Sequence, residues 1–223
     1  NTAVYTSSVL VSLTADLART TKLANANDTN GDVLGSGTIV NGGIAGRYTG
    51  GNENSSTEAY GDKLTNIQNL TVEGSGASYL IGNNQANILT GGSGNDTLEG
   101  IGNAIGLGGD TLNGGSGTDT VTYIHATAGV KASLGATGLT GDALTASNAA
   151  GITANRGTIT GFETDTFNSI ENLTGTQFAD VLVANNSGST LRGGAGNDTL
   201  IGGAGNDVLD GGDGNDVIYA AQG

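Results

Sequence analysis

The stretch from Gly193 to Tyr219 decides the fold, because it consists of GGAGNDTLI, GGAGNDVLD and GGDGNDVIY without a gap. Each unit follows one nine-residue pattern, G-G-x-G-N-D-x-apolar-x, in which the aspartate holds place six and the apolar residue place eight. Glycines at the start of a unit tolerate left-handed or strained dihedral angles, so the first six residues predict a tight half-turn. The apolar residue predicts a short strand with one buried side chain, at Leu200, Leu209 and Ile218.

Two such units make one full coil, so the loops of units n and n+2 stack on the same side. This stacking brings Asp198 over Asp216. Two stacked carboxylates and a set of turn carbonyls need a cation between them, and an all-oxygen cage suits calcium better than any soft-ligand metal. The repeat therefore predicts coils that are held together by calcium ions.

These units resemble the nonapeptide repeats of the RTX (repeats-in-toxin) family, which wind into a calcium-binding parallel β-roll. The resemblance implies an all-β fold, a parallel β-roll or β-solenoid with an ion between loops n and n+2. Each loop supplies its place-six carboxylate, the first loop adds the carbonyls of places two and four, and the second adds those of places one and three. For the last coil the implied ligands are Gly194, Gly196, Asp198, Gly211, Asp213 (main chain) and Asp216.

The same scheme extends to the degenerate unit GTQFADVLV, which has Asp180 at place six. Asp180, Asp198 and Asp216 follow one another at intervals of two units, so one ladder with two ions is expected. The implied ligands of the second ion are Thr176, Phe178, Asp180, Gly193, Ala195 and Asp198. On the opposite side Ser189 stands where an acid is wanted, so the site at Asp207 is expected to be weak or empty unless Asp207 finds a partner elsewhere.

A second level of repetition divides the chain into two copies of one module. Residues 62–71 (DKLTNIQNLT) match residues 165–174 (DTFNSIENLT), and residues 3–13 resemble residues 120–134. Each copy is expected to contain a pair of strands, a variable polar insert, an IxNLT strand and then a roll. The predicted modules are 1–122, with strands at 4–5 and 9–13, an insert at 14–61 and a roll at 64–122, and 123–223, with an insert at 135–161 and a roll at 166–219.

The first roll contains imperfect units. Leu80, Leu89 and Leu98 fall nine residues apart, but Ser78 and Asn87 stand at place six of the first two units. These early coils are therefore expected to depend on packing and side-chain ladders. After Glu99 five extra residues predict a bulged loop, and Asp110-Thr111-Leu112 restores the frame.

Beyond this bulge the unit GGSGTDTVT brings Asp119 to the same side as Asp96. The bulged loop lies on the opposite side of the roll and need not disturb them. For this site the family resemblance implies the ligands Gly92, Gly94, Asp96, Gly114, Ser116 (main chain) and Asp119.

Composition narrows the classes of function. The formal net charge is −14 with 7 basic residues, which argues against nucleic acid and anionic membrane surfaces as partners. No apolar run approaches membrane-spanning length, so membrane insertion is not expected. The chain has 42 glycines and only 4% aromatic residues, so an ordinary core would be thin, and bound cations would supply the missing stability. There is no cysteine, which excludes disulfides and thiolate metal sites.

No catalytic constellation is evident in the sequence. His125 is the only histidine and is expected to be structural, since the chain has no second histidine and no nucleophile-elbow motif. The Asp28-Thr29-Asn30-Gly31-Asp32 spacing is compatible with a cation site, but Val33 and Ile39 break the EF-hand pattern and an ordinary Asx-rich turn is the simpler interpretation. Five carboxylates could in principle form an acid–base pair, as in a glycosidase, but no two lie in a recognisable context and a solvated surface is the simpler interpretation: Glu53, Glu58, Asp62, Glu163 and Asp165.

The two ends of the chain match one another. Joined tail to head they give AAQGNTAVY, a further nonapeptide, and residues 1–5 also align with residues 119–123. Three explanations stay open: a segment of a longer repeat array, end-to-end stacking of copies in a filament or lattice, or chance.

We interpret the chain as a non-catalytic, calcium-loaded β-roll from a secreted or surface-displayed bacterial protein. An S-layer, filament or large-adhesin module is the preferred role, with export as an unfolded chain by the one-step (type I) route that the resemblance implies, and folding on external calcium. The alternative is the accessory roll of an exported protease, lipase or polysaccharide epimerase. Adhesion through the polar inserts to a glycan or a partner protein is a third possibility.

Overall fold

The computed structural model describes residues 2–6, 13–16, 38–40, 69–73, 75–83, 85–100, 109–136, 156–159 and 164–220. These segments form short strands joined by tight loops, and the described residues contain no helix that is long and apolar enough to cross a membrane. The strands are β1 (Thr2–Thr6), β2 (Leu13–Asp16), β3 (Thr38–Val40), β4 (Asn69–Glu73), β5 (Ser78–Ile81), β6 (Ile88–Gly92), β7 (Thr97–Glu99), β8 (Thr111–Gly115), β9 (Thr120–Thr122), β10 (Val130–Ser133), β11 (Arg156–Ile159), β12 (Thr164–Asn168), β13 (Asn172–Thr174), β14 (Val181–Val183), β15 (Thr190–Ala195), β16 (Thr199–Ile201), β17 (Val208–Asp213) and β18 (Val217–Tyr219).

Two sheets form the walls of the roll. The first has ten strands in the order β1-β4-β6-β8-β12-β11-β10-β14-β16-β18, and the second has eight in the order β17-β15-β13-β9-β7-β5-β2-β3. All neighbouring strands are parallel except β11, which is antiparallel to both β10 and β12. Apart from β2–β3 and β10–β12, which are consecutive in one sheet, the chain alternates between the sheets one short strand at a time, so the predicted all-β parallel β-roll is confirmed.

The predicted period of two nonapeptide units sets the register of the second roll. Leu182 pairs with Leu200, Leu200 pairs with Ile218, and Leu191 pairs with Leu209. In the first roll Leu89 pairs with Leu112, which agrees with one coil plus the five extra residues of the bulged loop. The repeat spacing therefore fixes which main chains are neighbours.

The core is built around one place-eight apolar residue per strand, and Val183 and Ile201 form a second, smaller buried cluster. The place-eight residues of both sheets form a single cluster, and those of the inner coils are fully buried: Leu70, Leu80, Leu89, Leu98, Leu112, Val121, Leu173, Leu182, Leu191 and Leu200. The prediction that Ile218 is buried is wrong, because β18 is an edge strand among the described residues and Ile218 is 47% exposed. Leu209, on the edge strand β17, is only partly buried.

The predicted inserts contribute strands to the sheets. Residues Arg156–Ile159, within the polar insert predicted at 135–161, form β11, which lies between β12 and β10 of the second copy. In the first copy the second strand is Leu13–Asp16 rather than the predicted 9–13, of which only Leu13 is described, and β3 lies within the insert predicted at 14–61. The Asx-rich segment 28–32 lies outside the described residues, as do Glu53, Glu58, Asp62 and Glu163.

Strand β1 has the register of an internal coil. Thr2 pairs with Asn69 and Ala3 with Leu70, just as Thr120 pairs with Asn172 and Val121 with Leu173. This agrees with the alignment of residues 1–5 with 119–123. It disagrees with the joined frame AAQGNTAVY, which assigns place eight to Val4, and a slip of one residue exchanges the two faces of a strand.

Substitution of Leu200 tests the energetic role of the core column. Leu200→Ala is expected to lower the free energy of unfolding by about 2–5 kcal/mol, because a fully buried leucine leaves a cavity in a packed column. Ile218→Ala is the matched control at the same place of the last coil, with an expected loss below half of that value. Urea unfolding in saturating calcium measures both, and equal losses would contradict this description of the core.

Candidate metal centre

The place-six aspartates of the second roll form a continuous ladder. The Asp198 carboxylate accepts a hydrogen bond from the Asp180 backbone N–H through Oδ1 at 2.8 Å, and Asp216 Oδ1 accepts from the Asp198 N–H at 2.9 Å. At the start of this ladder, Asp180 Oδ1 accepts a hydrogen bond from the Val130 backbone N–H at 2.6 Å. The structure thus brings the three predicted acids onto successive coils in direct contact.

The first roll contains a second ladder of the same construction. Asp96 Oδ1 accepts from the Ser78 N–H at 2.6 Å, and Asp119 Oδ1 accepts from the Asp96 N–H at 2.7 Å. Asp96 and Asp119 thus contact each other despite the five extra residues between their units, and the spacing predicted this contact. The ladder continues to Glu171, whose Oε2 accepts from the Asp119 N–H at 2.8 Å.

The second carboxylate oxygen distinguishes these acids from ordinary buried aspartates. Asp96, Asp119 and Asp198 are almost fully buried, and Oδ2 of each has no hydrogen-bond partner among the described residues. A buried anionic oxygen without a donor is costly, and a bound cation removes that cost. The residues present therefore fit a metal ion.

Main-chain oxygens converge on the same points. A Cβ on Gly193 would meet both Asp198 Oδ2 and the Gly211 carbonyl oxygen, two of the implied ligands of the last coil. Place one must therefore be glycine, since a side chain there would fill the space between these oxygens. Gly194 and Gly196 have φ of +113° and +126°, in the left-handed region that glycine favours.

The other implied ligands also lie in stacked loops. The Gly196 N–H donates to the Asp213 carbonyl at 2.8 Å, and the Ser116 N–H donates to the Gly92 carbonyl at 2.9 Å. The Ala195 N–H donates to the Thr176 carbonyl at 3.2 Å. The remaining implied ligands likewise lie against a stacked loop: Gly94 against Gly117, Gly114 against Ser169, and Phe178 against Gly196.

Two of the predicted acids obtain their second partner from the protein. Asp180 Oδ2 accepts from the Thr176 N–H at 2.6 Å and from the Thr176 hydroxyl at 3.1 Å. Asp207 accepts from the N–H groups of Ser189 and Gly203, each at 2.8 Å. These carboxylates have less need of a cation than Asp198, so the ladder is not uniform along the roll.

A further buried aspartate, which the sequence analysis missed, lies in the stacked loops on the opposite side of the roll. Asp165, assigned above to the solvated surface, is only 4% exposed, so that assignment is wrong. Its Oδ1 accepts from the Asp110 N–H at 2.9 Å and its Oδ2 from the Tyr123 hydroxyl at 2.8 Å. The available signal was the sequence Asp165-Thr166-Phe167, which has the acid and the apolar residue in the order of places six and eight.

Asparagine at place five forms a ladder of its own. The Asn95 side-chain oxygen accepts from the Thr118 N–H, and the Asn197 side-chain oxygen accepts from the Asn215 N–H, each at 2.9 Å. These bonds run in the opposite direction to the aspartate bonds, because the earlier loop supplies the side chain. The constant asparagine of the tandem units was the signal for this role.

His125 lies beside a buried carboxylate. Its Nδ1 is 2.9 Å from both oxygens of Glu99, and the Tyr79 hydroxyl donates to the same carboxylate at 2.8 Å.

No group of three or more histidine, cysteine, aspartate or glutamate side chains suited to a metal ion occurs in the part of the chain that the structure describes. Each candidate site of the ladders therefore combines two carboxylates with main-chain oxygens, as an all-oxygen calcium site does.

Burial governs the protonation of the ladder acids. Desolvation raises the pKa of Asp96 and of Asp180 to about 6, against the lowering effect of their backbone hydrogen bonds. Burial also raises the pKa of Asp119 and of Asp198, to which the neighbouring carboxylates of Glu171 and Asp216 add a smaller contribution. Without a cation these acids therefore bind protons at a higher pH than free carboxylic acids do.

This protonation predicts opposite pH dependences with and without calcium. Because the pKa of these carboxyls is raised on folding, the calcium-free chain is most stable below about pH 4, and that stability is lost as the pH rises through about 6. Calcium requires deprotonated ligands, so its affinity is expected to rise over the same range. Urea unfolding at pH 5 and pH 7, in calcium-free and calcium-saturated buffer, measures both trends. Greater stability of the calcium-free chain at pH 7 would contradict them.

Two isosteric substitutions separate a carboxylate that needs a cation from one that does not. Asp198→Asn is expected to lower the number of bound calcium ions and to weaken calcium affinity at least tenfold, because it neutralises the oxygen without a donor. Asp207→Asn is the matched control and should leave the number of ions unchanged, since protein N–H groups already satisfy Asp207. Isothermal titration with calcium measures both, and equal effects would argue against the assignment.

Comparison with known proteins identifies the repeats. The family model HemolysinCabind, the RTX calcium-binding nonapeptide repeat, matches four times, at residues 74–100, 106–122, 174–209 and 192–223. A search of curated proteins gave no match. The acids whose second oxygen lacks a donor, Asp96, Asp119 and Asp198, all lie within the matched segments. The matched segments of this chain are therefore RTX calcium-binding nonapeptide repeats.

Proposed function

We propose that this chain is a structural module of a secreted or cell-surface bacterial protein, such as an S-layer, a filament or a large adhesin. Its role is to become rigid on binding external calcium. The observation that carries the proposal is the set of buried carboxylate oxygens without donors, at Asp96, Asp119 and Asp198, on coils that contact one another directly.

Calcium acts as the switch between an exportable and a folded chain. Without cations the stacked carboxylates repel one another, and a glycine-rich chain with a narrow core has little other stability. Calcium is scarce inside a cell and abundant outside it. An unfolded chain passes through an export channel, and calcium then drives folding by mass action on the outer side.

The continuity of the two sheets favours a structural module over the accessory roll of an exported enzyme. Strand β11, from the second insert, is incorporated between β10 and β12 of the second copy, and β12 pairs directly with β8 of the first copy. In the other sheet β9 of the first copy pairs directly with β13 of the second. The two copies are thus built as one continuous solenoid, which suits a load-bearing element.

The edge strands β17 and β18 support self-association. Val208, Val217 and Ile218 are exposed there, and the edge of a parallel sheet presents unpaired main-chain groups that accept another strand. Stacking onto a second copy, or onto further repeats of a longer array, would bury these side chains.

Calcium-dependent folding is the first test of the proposed function. Far-ultraviolet circular dichroism and small-angle scattering at neutral pH are expected to change from an expanded coil in chelator to a compact β-structure in millimolar calcium. The Asp198→Asn variant should need a higher calcium concentration for the same transition. An identical compact structure with and without calcium would contradict the proposal.

Self-association is tested separately by sedimentation velocity. The proposal expects larger species in calcium at high protein concentration, and their loss when Ile218 is replaced by a charged residue. Ile88→Lys, at another exposed apolar position, is the control, because Ile88 lies away from the edge strands. A strict monomer under all conditions would remove self-association from the account.

A further inference from the structure

The junction between the two modules contains an acid that the repeats do not supply. Glu171 lies outside the segments matched to the repeat family, yet it occupies the ladder position that follows Asp119. Its backbone N–H and that of Asn172 both donate to the Asp119 carbonyl, at 3.1 and 2.9 Å. Asp119 and Glu171 therefore face one another across the seam where β9 meets β13.

All polar atoms of Asp119 but one are satisfied at this seam. Its N–H donates to Glu171, its carbonyl accepts from residues 171 and 172, and its Oδ1 accepts from the Asp96 N–H. Oδ2 is buried and has no donor, and the Asp119 side chain is fully buried. Among the described residues neither Asp119 nor Glu171 forms an ion pair, so no positive side chain balances these acids.

The oxygen without a donor faces another acceptor. A Cβ on Gly114 would meet both Asp119 Oδ2 and the Ser169 carbonyl oxygen. The same arrangement joins Asp198 Oδ2 and the Gly211 carbonyl at Gly193 in the last coil. Ser169 is the only non-glycine residue with positive φ among the described residues, at 51°, so the turn adopts an unfavourable conformation where it presents this carbonyl.

The other sheet has a corresponding pair of acids at this seam. There the Asp110 N–H donates to Asp165 Oδ1 at 2.9 Å, and the Tyr123 hydroxyl donates to Asp165 Oδ2 at 2.8 Å. Asp165 holds the position that Glu171 holds in the second sheet, and both of its oxygens have protein donors. At Asp119 the Oδ2 without a donor and the Ser169 carbonyl oxygen lie close to one another, beside the Glu171 carboxylate, and oxygen atoms placed in this way suit a cation that accepts hard oxygen ligands.

We propose that a calcium ion binds at this seam, held by the carboxylates of Asp119 and Glu171 and the Ser169 carbonyl, and locks the first module onto the second. The inference rests on the proposed function to the extent that the roll must load calcium. It adds a site that consists in part of residues outside the repeats. It also makes calcium responsible for the continuity of the solenoid across the junction.

The Glu171→Gln variant tests the seam site. Glutamine still accepts a hydrogen bond from the Asp119 N–H but carries no charge, so the fold is retained and one ligand is lost. We expect one calcium ion fewer than in the wild-type chain by native mass spectrometry. Hydrogen exchange in calcium should speed up at residues 114–122 and 169–174 and stay unchanged at 193–216. Asp210→Asn, which removes an exposed carboxylate from the same roll, should retain the wild-type number of ions.

A second measurement keeps the test valid if Glu171→Gln does not fold. Crystals of the wild-type chain grown with terbium should show an anomalous peak between Asp119 and Glu171, and its absence would overturn the proposal. If Glu171→Gln binds as many calcium ions as the wild-type chain, a proton rather than a cation satisfies Asp119 Oδ2. That result would overturn the seam site and leave the proposed function intact. A wild-type chain that binds no calcium would overturn the proposed function together with the seam site.

Discussion

The structure depends on a carboxylate that is buried with only half of its hydrogen-bonding capacity met by the protein. At each such position one oxygen accepts the N–H of the preceding coil, which aligns the two loops. The other oxygen points into the space beside the glycine at place one, where no donor of the described chain reaches it. Close stacking and the need for a cation are therefore two consequences of one arrangement. Removing the carboxylate would relieve the unmet charge, but it would also remove the hydrogen bond that joins the coils.

The stacked carboxylates of the roll differ in whether the protein supplies a hydrogen-bond donor to the second oxygen. Thr176 donates to Asp180, Gly203 to Asp207 and Tyr123 to Asp165. At Asp96, Asp119 and Asp198 no such donor is present in the described part of the chain. The dependence on calcium is thus concentrated at particular coils, and the coils between them are held by protein hydrogen bonds and leucine packing. Under the proposed function, such a chain would stay unfolded when calcium is scarce without needing an ion at every coil.

The period of the sequence was sufficient to predict the fold. The interval of two nonapeptide units determined the parallel register, and the five-residue excess near residue 100 correctly left Asp96 and Asp119 in contact. Strand β11 could not be predicted, because its segment has no nonapeptide and its antiparallel pairing departs from the parallel stacking that the repeat period predicts. The burial of Asp165 was missed for a related reason, since it lies outside the nonapeptides. Which second oxygens find a protein donor depends on single residues such as Thr176 and Tyr123, and spacing alone does not reveal these contacts.

The most direct test is a crystal structure grown in millimolar calcium at neutral pH, examined between Asp198 and Asp216. The account predicts an ion with six to eight oxygen ligands at about 2.3–2.6 Å, including Asp198 Oδ2. An Asp198 Oδ2 that instead contacts only water or a protein donor, with no metal between the two coils, would contradict it.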